Sequence, residues 1–332
     1  MTIQRIQIGT HNGVFHADDV FAVAIATEFI LETRGDDVVI DVVRTRDAKE
    51  LDECYLVFDV GGISDGNRWF DHHQRDFEES RDGVPFAAAG LAWRALGKTL
   101  CGGDQEVADA VDRRLIQAID AADNGVALFE GGNPVFEHAR SVSLSAAIAA
   151  FNPVWQEGAF DRAFDKAVQF ARSILKGFVK QALGAKAARH LFTAAEQRRL
   201  QRNDHTIILD QYVPWKEHVD DVVGDNAYYV VFPGSSGNWM LQCIPPSAGS
   251  FAQRVPLPTK WAGLRGEELQ EVSRVSDAKF CHAARFIAGA TSKGAAIELA
   301  EEALAQQRQA ERREAANALR ASFLKLEEDQ AG

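Results

Sequence analysis

Cysteine is scarce and unpaired in this sequence. Four are present among 332 residues, Cys54, Cys101, Cys243 and Cys281, with no CxxC pair. That spacing excludes a zinc ribbon and reads as reduced thiols, not a disulfide framework. No run of about 18 uninterrupted apolar residues occurs, so no membrane span is expected. The start, MTIQRIQIGTH, lacks the apolar stretch of a signal peptide and the Arg/Ser-rich character of a transit segment, so the expected compartment is the cytoplasm. No internal repeat or low-complexity tract is visible. Positive charge is in deficit: 36 basic against 48 acidic residues leave a net charge of −12. This argues against an extended basic footprint for nucleic acid, but not against a small basic groove or a site where bound cations supply the charge.

What is present is ordinary for a globular chain with two domains, 46% hydrophobic and 25% charged residues. The first part alternates apolar β-branched runs with helical periodicity. Residues 3–10, 38–45, 54–62 and 68–70 read as strands, and 18–35, 86–100 and 104–123 as helices. The helix at 18–35 opens on two carboxylates and closes on Gly35, the expected polarity. Such alternation predicts an α/β fold with a mainly parallel sheet covered by helices. Residues 161–200 read as almost all helix, with Gly177 and Gly184 as points where it would bend. Strands return at 205–210, in a hairpin over 227–244, and at 278–286. A charged helix follows from Lys293 to about Glu328, as a solvated or dimer-packing element. The expected organisation is a first domain over 1–153, a helical linker over 154–203, and a smaller α+β domain over 204–332. A homodimer through the long helices is compatible with this pattern.

The chemistry concentrates at predicted strand ends. THNGVFHADD follows the first strand and carries His11, His16, Asp18 and Asp19. VFDVGG ends the third with Asp59, and DHHQRDF follows the fourth with Asp71, His72 and His73. AIDAADNG ends a helix with Asp120 and Asp123. In an open α/β sheet, ligands bind outside the carboxyl ends of the strands. Taken singly, many of these residues have plain explanations. Asp18 or Asp19 could cap a helix, Asp123 before Asn-Gly could mark a turn, and His16 could be a satisfied core histidine. Asp59 interrupts the apolar run YLVFDV, where an unpaired carboxylate is very costly. Adjacent His72 and His73 after Asp71 are the hardest to explain without a ligand. So many histidines and carboxylates on one edge exceed the four or so ligands of a single zinc and suit two divalent ions. The oxygen-rich, thiolate-free set favours Mn²⁺ or Mg²⁺ over a soft metal.

These residues resemble the DHH phosphoesterase superfamily, whose signature is the Asp-His-His triplet. The blocks IGTHNGVFHADD, VVRTRD, FDVGG, DHHQRDF, DAADNGV, VPWKEHV, FAQRVPLPTKWAGLRGEEL and RFIAGA together resemble the MYG1 family (UPF0160). The resemblance implies a DHH-type first domain holding two Mn²⁺-type ions, with Mg²⁺ as the alternative. By that likeness His11 and His16 bind the first ion, Asp18, His72 and Asp123 the second, and Asp59 bridges both. Asp120, one helical turn before Asp123, is the alternative to it. His73 faces the scissile phosphate, and Asp71 orients His72 or His73. Many superfamily members carry aspartate where His16 stands, one residue nearer the first histidine. FIAGATSKG occupies the likely place of a GGGH-type substrate motif without its histidine. Candidate substrate contacts are Arg75 in the first domain and Lys216, His218, Arg254, Lys260, Arg265, His282 and Arg285 in the second. Trp215, Trp239 and Trp261 could stack on a base, although each taken singly reads sooner as core than as platform. The implied activity is a metal-dependent phosphodiesterase, a 3′→5′ exonuclease on single-stranded RNA or short oligonucleotides. Hydrolysis of pyrophosphate or a cyclic dinucleotide, or a non-catalytic metal-stabilised scaffold, are the alternatives.

Overall fold

The computed structural model describes residues 4–128 and 142–330, the last helix by its backbone alone beyond residue 317. The chain divides into two compact units, residues 1–184 and 185–332.

The first unit is built on a four-stranded sheet of β1 (Gln4–Thr10), β2 (Val38–Arg44), β3 (Leu56–Phe58) and β4 (Trp69–Phe70), in the order β2-β1-β3-β4. Every pairing is parallel. Helix α1 (Ala17–Arg34) connects β1 to β2 and is buried from Val20 to Ala26. A helix apolar all round needs cover on more than one side. It packs on the sheet and on α3 (Ala88–Leu100). Ile6, Ile8, Leu56, Phe58 and Phe70 face these helices, while Val57 faces a smaller cluster with Leu51, Cys54 and Val60. Leu51 lies on the short helix α2 (Ala48–Asp52), close beneath Gly9. The strand expected over 54–62 shrinks to three residues because Asp59 turns into the left-handed region, φ +56°, and Gly61 and Gly62 follow at positive φ.

A two-stranded ribbon, β5 (Ser80–Arg81) with β6 (Val84–Pro85), precedes α3. The helix expected over 104–123 is divided. α4 (Gln105–Val111) passes through a π-helical turn at Asp112–Ile116 into α5 (Gln117–Asp123). Arg81 forks onto Asp112 and reaches Asp120, which also accepts the Gly90 amide at 2.9 Å. Burial raises the Asp120 carboxyl to about 6, against the pull of Arg81. Helix α6 (Leu144–Ala149) completes the cover.

Helix α7 runs from Phe160 to Arg202 without a break, so neither Gly177 nor Gly184 interrupts it. Intact helical hydrogen bonding outweighs the roughly 1 kcal/mol that each glycine costs there. The division between units falls within it.

The second unit carries a mixed five-stranded sheet. Its strands are β7 (Thr206–Ile208), β8 (Tyr229–Pro233), β9 (Trp239–Cys243), β10 (Ala278–Cys281) and β11 (Ile287–Ala290), in the order β10-β11-β9-β8-β7. The 227–244 hairpin is present as β8–β9. The single strand expected at 278–286 is instead the first arm of a second hairpin. His282 and Arg285 close its turn, with Arg285 at φ +59°. Helices α8 (Val219–Val222), α9 (Gly266–Ser273) and α10 (Lys293–Gln330) accompany the sheet, and α10 packs against its strands.

Gly90 is where α3 and the buried Asp120 approach most closely, and a methyl group there would overlap the Asp120 carboxylate. Gly90→Ala is therefore expected to destabilise the fold by at least about 1–3 kcal/mol, the usual cost of overpacking, measured by urea denaturation.

Candidate active site

The four parallel strands deliver their chemistry at one edge. β1 ends at Thr10 and hands on to His11. β3 ends at Phe58 and hands on to Asp59. β4 ends at Phe70 and hands on to Asp71, His72 and His73. The strand order reverses between β1 and β3, so His11 and Asp59 stand at the switch point where open sheets form their crevice.

The loop from His11 to His16 is braced from two sides. Asn152 accepts from the Phe15 amide at 3.1 Å and donates to its carbonyl at 2.9 Å. Arg44 donates to the Gly13 carbonyl at 2.8 Å, and its guanidinium lies 4.5 Å from the centre of the Phe164 ring. α1 then begins at Ala17, one residue earlier than the sequence reading. His16 becomes the residue before the helix, and its amide donates to Asp19 at 2.8 Å.

Two groups of ligand atoms with no residue in common result, each within 4.8 Å of one another, His11, Asp19 and Asp59, and Asp18, His72 and Asp123, and a third, Asp59, His72 and His73, overlaps both. His11 Nε2 lies 3.3 Å from Asp19 Oδ2 and 3.4 Å from Asp59 Oδ2. His72 Nε2 lies 3.2 Å from Asp123 Oδ2, 3.5 Å from Asp59 Oδ1 and 4.0 Å from Asp18 Oδ2. Asp59 thus turns one oxygen to each group. Asp18 is also held by the N-terminus of α3, accepting from the Ala88 and Ala89 amides at 2.8 and 2.6 Å.

The fit to cations can be tested on these distances. Ligands about 2.1 Å from a divalent ion, at tetrahedral or octahedral angles, stand about 3.0–3.4 Å apart. The closest pairs here fall in or near that range. Asp19 Oδ2, Asp59 Oδ1 and His72 Nε2 are buried and have no hydrogen-bond partner. Buried polar atoms are rarely left so, and ions are among the usual reasons. The residues fit divalent cations.

The electrostatics agree. Burial and the nearby charges of Asp59 and Asp123 push the Asp18 carboxyl well up. Burial raises Asp19 to about 7, against the attraction of His11. At His72 burial works downward, but the facing carboxylates of Asp123 and Asp59 prevail and raise it to about 10. Asp59 shows the converse: the facing imidazoles of His11 and His72 overcome burial and hold it at about 2. Without cations, protons on histidine supply the positive charge that the carboxylates require.

Asp71 orients His73 rather than His72. Its Oδ1 lies 2.8 Å from His73 Nδ1, and its Oδ2 accepts the Gly62 amide at 2.6 Å. The His73 side chain is 62% exposed and lines a cleft of about 550 Å³ with His11, His16, Asp59, Asp123 and Arg46. The His16 ring stands 6.1 Å from that of His11, outside both groups. A second cleft of about 380 Å³ meets the first at His16 and Asp123 and is lined by Ala17, Asp18, Ile119, Ala122, Ser145, Ala146 and Ala149. Asp120 faces Arg81 and Gly90 instead.

Asp19 is the residue the sequence reading left out of the ligand set. The signal was its place three residues after His16, where an acidic side chain reaches back to the start of a helix. Arg75 is exposed and does not line the cleft.

In the second unit several expected substrate contacts have other duties. Arg254 donates to the carbonyls of Gly224, Ala227 and Pro245. Arg285 bonds Leu257 O and Thr259. His282 is exposed in the β10–β11 turn, where it accepts the Ala284 amide, and not in a strand. Lys216 is exposed. Trp215 and Trp261 are core residues, the plainer of their two readings, and Trp239 is half-buried beneath Lys293. No helix among the described residues is long and apolar enough to cross a membrane.

Comparison with known proteins adds a family. The profile MYG1_exonuc, described as uncharacterised protein family UPF0160, matches residues 7–304. The human protein named MYG1 exonuclease is 33% identical, over 90% of this chain and 86% of its own length. MYG1 proteins of Saccharomyces cerevisiae and Caenorhabditis elegans are each 32% identical over 90% of this chain, and over 96% and 94% of their own lengths.

Proton and cation compete for these ligands, which fixes the sign of a pH effect. The raised Asp19 and His72 stabilise the cation-free fold at low pH, and that contribution is lost as pH rises through about 7 and then about 10. With chelator, the melting temperature is expected to fall between pH 6 and pH 9. The rise in melting temperature on adding Mn²⁺ should grow over the same range, because binding releases those protons. Differential scanning fluorimetry across pH, with and without Mn²⁺, measures both.

Proposed function

This chain belongs to the MYG1 family (UPF0160), and on that footing we propose that its first unit hydrolyses phosphodiester bonds, as a 3′→5′ exonuclease on single-stranded RNA or short oligonucleotides. The observation that carries the reading is the pair of ligand groups joined through Asp59, with three buried atoms left without partners. The name exonuclease borne by the mammalian relatives points the same way.

In this reading His11, Asp19 and Asp59 hold one Mn²⁺-type ion, with His16 beside them, and Asp18, His72 and Asp123 hold the other. When bound, such ions acidify a water to give a nucleophile at neutral pH and offset charge on phosphoryl oxygens. The remaining work belongs to side chains. An ionised Asp71 can only accept, so His73 Nδ1 must donate to it. That fixes the tautomer and presents Nε2 to the cleft. Protonated, Nε2 donates a charge-assisted hydrogen bond to a non-bridging phosphate oxygen.

The second cleft favours a nucleotide over pyrophosphate. Its lining of Ala17, Ile119, Ala122, Ala146 and Ala149 offers apolar cover that pyrophosphate has no group to use. A sugar or base does.

A time course on 5′-labelled single-stranded RNA tests the reading. With Mn²⁺ a ladder shortening from the 3′ end is expected, and chelator should abolish it. Asp59→Asn and His72→Ala should each lower the rate by more than about 100-fold. Asp71→Asn, acting through His73, should cost about 10–100-fold. RNA left intact by Mn²⁺-loaded protein that hydrolyses pyrophosphate or a cyclic dinucleotide would overturn it.

A further inference from the structure

We propose that Arg46 is the anion-recognition residue of the 550 Å³ cleft, where its guanidinium takes a non-bridging oxygen of the substrate phosphate. The inference rests on the phosphoesterase reading of the same cleft and gives it a residue that the ligand set does not contain.

Position is the first ground. Arg46 follows the end of β2, the strand beside β1, just as His11 follows β1 and Asp59 follows β3. It lines the cleft with His11, Asp59, Asp71, His73 and Asp123, and it is the lysine or arginine in that lining.

The second ground is the contrast between a fixed backbone and a free head group. The Thr45 amide donates to the Thr10 carbonyl at 2.8 Å, tying this segment to the residue before His11. Asp47 caps α2 through the Lys49 amide at 2.8 Å, and its own amide donates to the Thr45 hydroxyl at 3.1 Å. Arg46 is therefore held between two anchored neighbours. Its side chain is exposed and makes no hydrogen bond or ion pair among the described residues. Arg44, two residues earlier, is spent on Gly13, Asp161 and the Phe164 ring. An arginine beside three cleft carboxylates would ordinarily pair with one. Here Asp59 and Asp123 face histidines, and Asp71 is held by His73 and Gly62.

Charge is the third ground. Asp18, Asp19, Asp59 and Asp123 make up the carboxylates of the two ligand groups. Two divalent ions would balance those four charges and leave no excess to attract a phosphate. The protein's net charge of −12 adds repulsion at longer range. A planar guanidinium in the lining supplies the missing attraction with geometry suited to two phosphate oxygens.

Isothermal titration of inorganic phosphate into Mn²⁺-loaded protein tests this without turnover. Wild type should bind phosphate, and Arg46→Gln should weaken binding by about 10- to 100-fold. Arg46→Lys should recover part of the loss, since it keeps charge but not the fork. The Mn²⁺-induced rise in melting temperature should be the same in all three proteins, which separates lost anion recognition from lost metal. Wild type that takes up no phosphate overturns the proposal, as does Arg46→Gln binding phosphate like wild type. If RNA stays intact while phosphate binding still depends on Arg46, the exonuclease reading fails and this inference stands.

Discussion

The first unit is organised around carboxylates in a dry interior. Asp18, Asp19 and Asp120 are closed to solvent and Asp59 nearly so. Each buried charge costs several kcal/mol unless something answers it. Three answers are used. Asp120 takes Arg81 and the Gly90 amide. Asp18 takes two amides at the start of α3, where the helix dipole also favours negative charge. Asp19 and Asp59 have histidines and little else, and there the ligand groups form. The π-helical turn in α4–α5, the ribbon that presents Arg81 and the close approach at Gly90 all serve this arrangement of charge.

The sheet does little beyond positioning. Its central and edge strands shorten to three and two residues at β3 and β4. Such strands contribute few ladder bonds, and burial under α1 and α3 holds them. Their parallel direction brings four carboxyl ends to one edge, and the reversal of strand order opens the crevice there. Asn152 and Arg44 then fix the loop from His11 to His16. That rigidity would suit the proposed cation site, whose ligands must stand within a few tenths of an ångström of their places.

Much of this was legible in the sequence. Strand–helix alternation gave the parallel sheet, because periods of 2 and 3.6 are local properties. Asp59 and the Asp71-His72-His73 run stood out because a charge at the end of an apolar run has few inert explanations. What stayed hidden depended on contacts remote in sequence. Asp19 looked like a helix cap and does cap His16, yet its second oxygen faces His11. Arg254 and Arg285 looked like free cations, and only the loops that fold over them reveal the carbonyls they hold. Arg46 reads as an ordinary surface residue until β2 is placed beside β1. The turn at 282–286 has the pattern of a strand because nothing local requires Arg285 to adopt positive φ.

Asp59 has a consequence for how this protein can evolve. Its backbone is left-handed, a state that costs most residues about 1–2 kcal/mol and that Asp, Asn and Gly adopt most readily. In the proposed two-cation site its side chain would also have to be a carboxylate short enough to turn one oxygen to His11 and the other to His72. Asparagine and glycine pass the first filter and fail the second. Glutamate, one base change away in the genetic code, fails the first and overreaches the second. The position is closed to gradual drift, and a descendant that abandoned this chemistry would be marked by asparagine or glycine here well before its fold was lost.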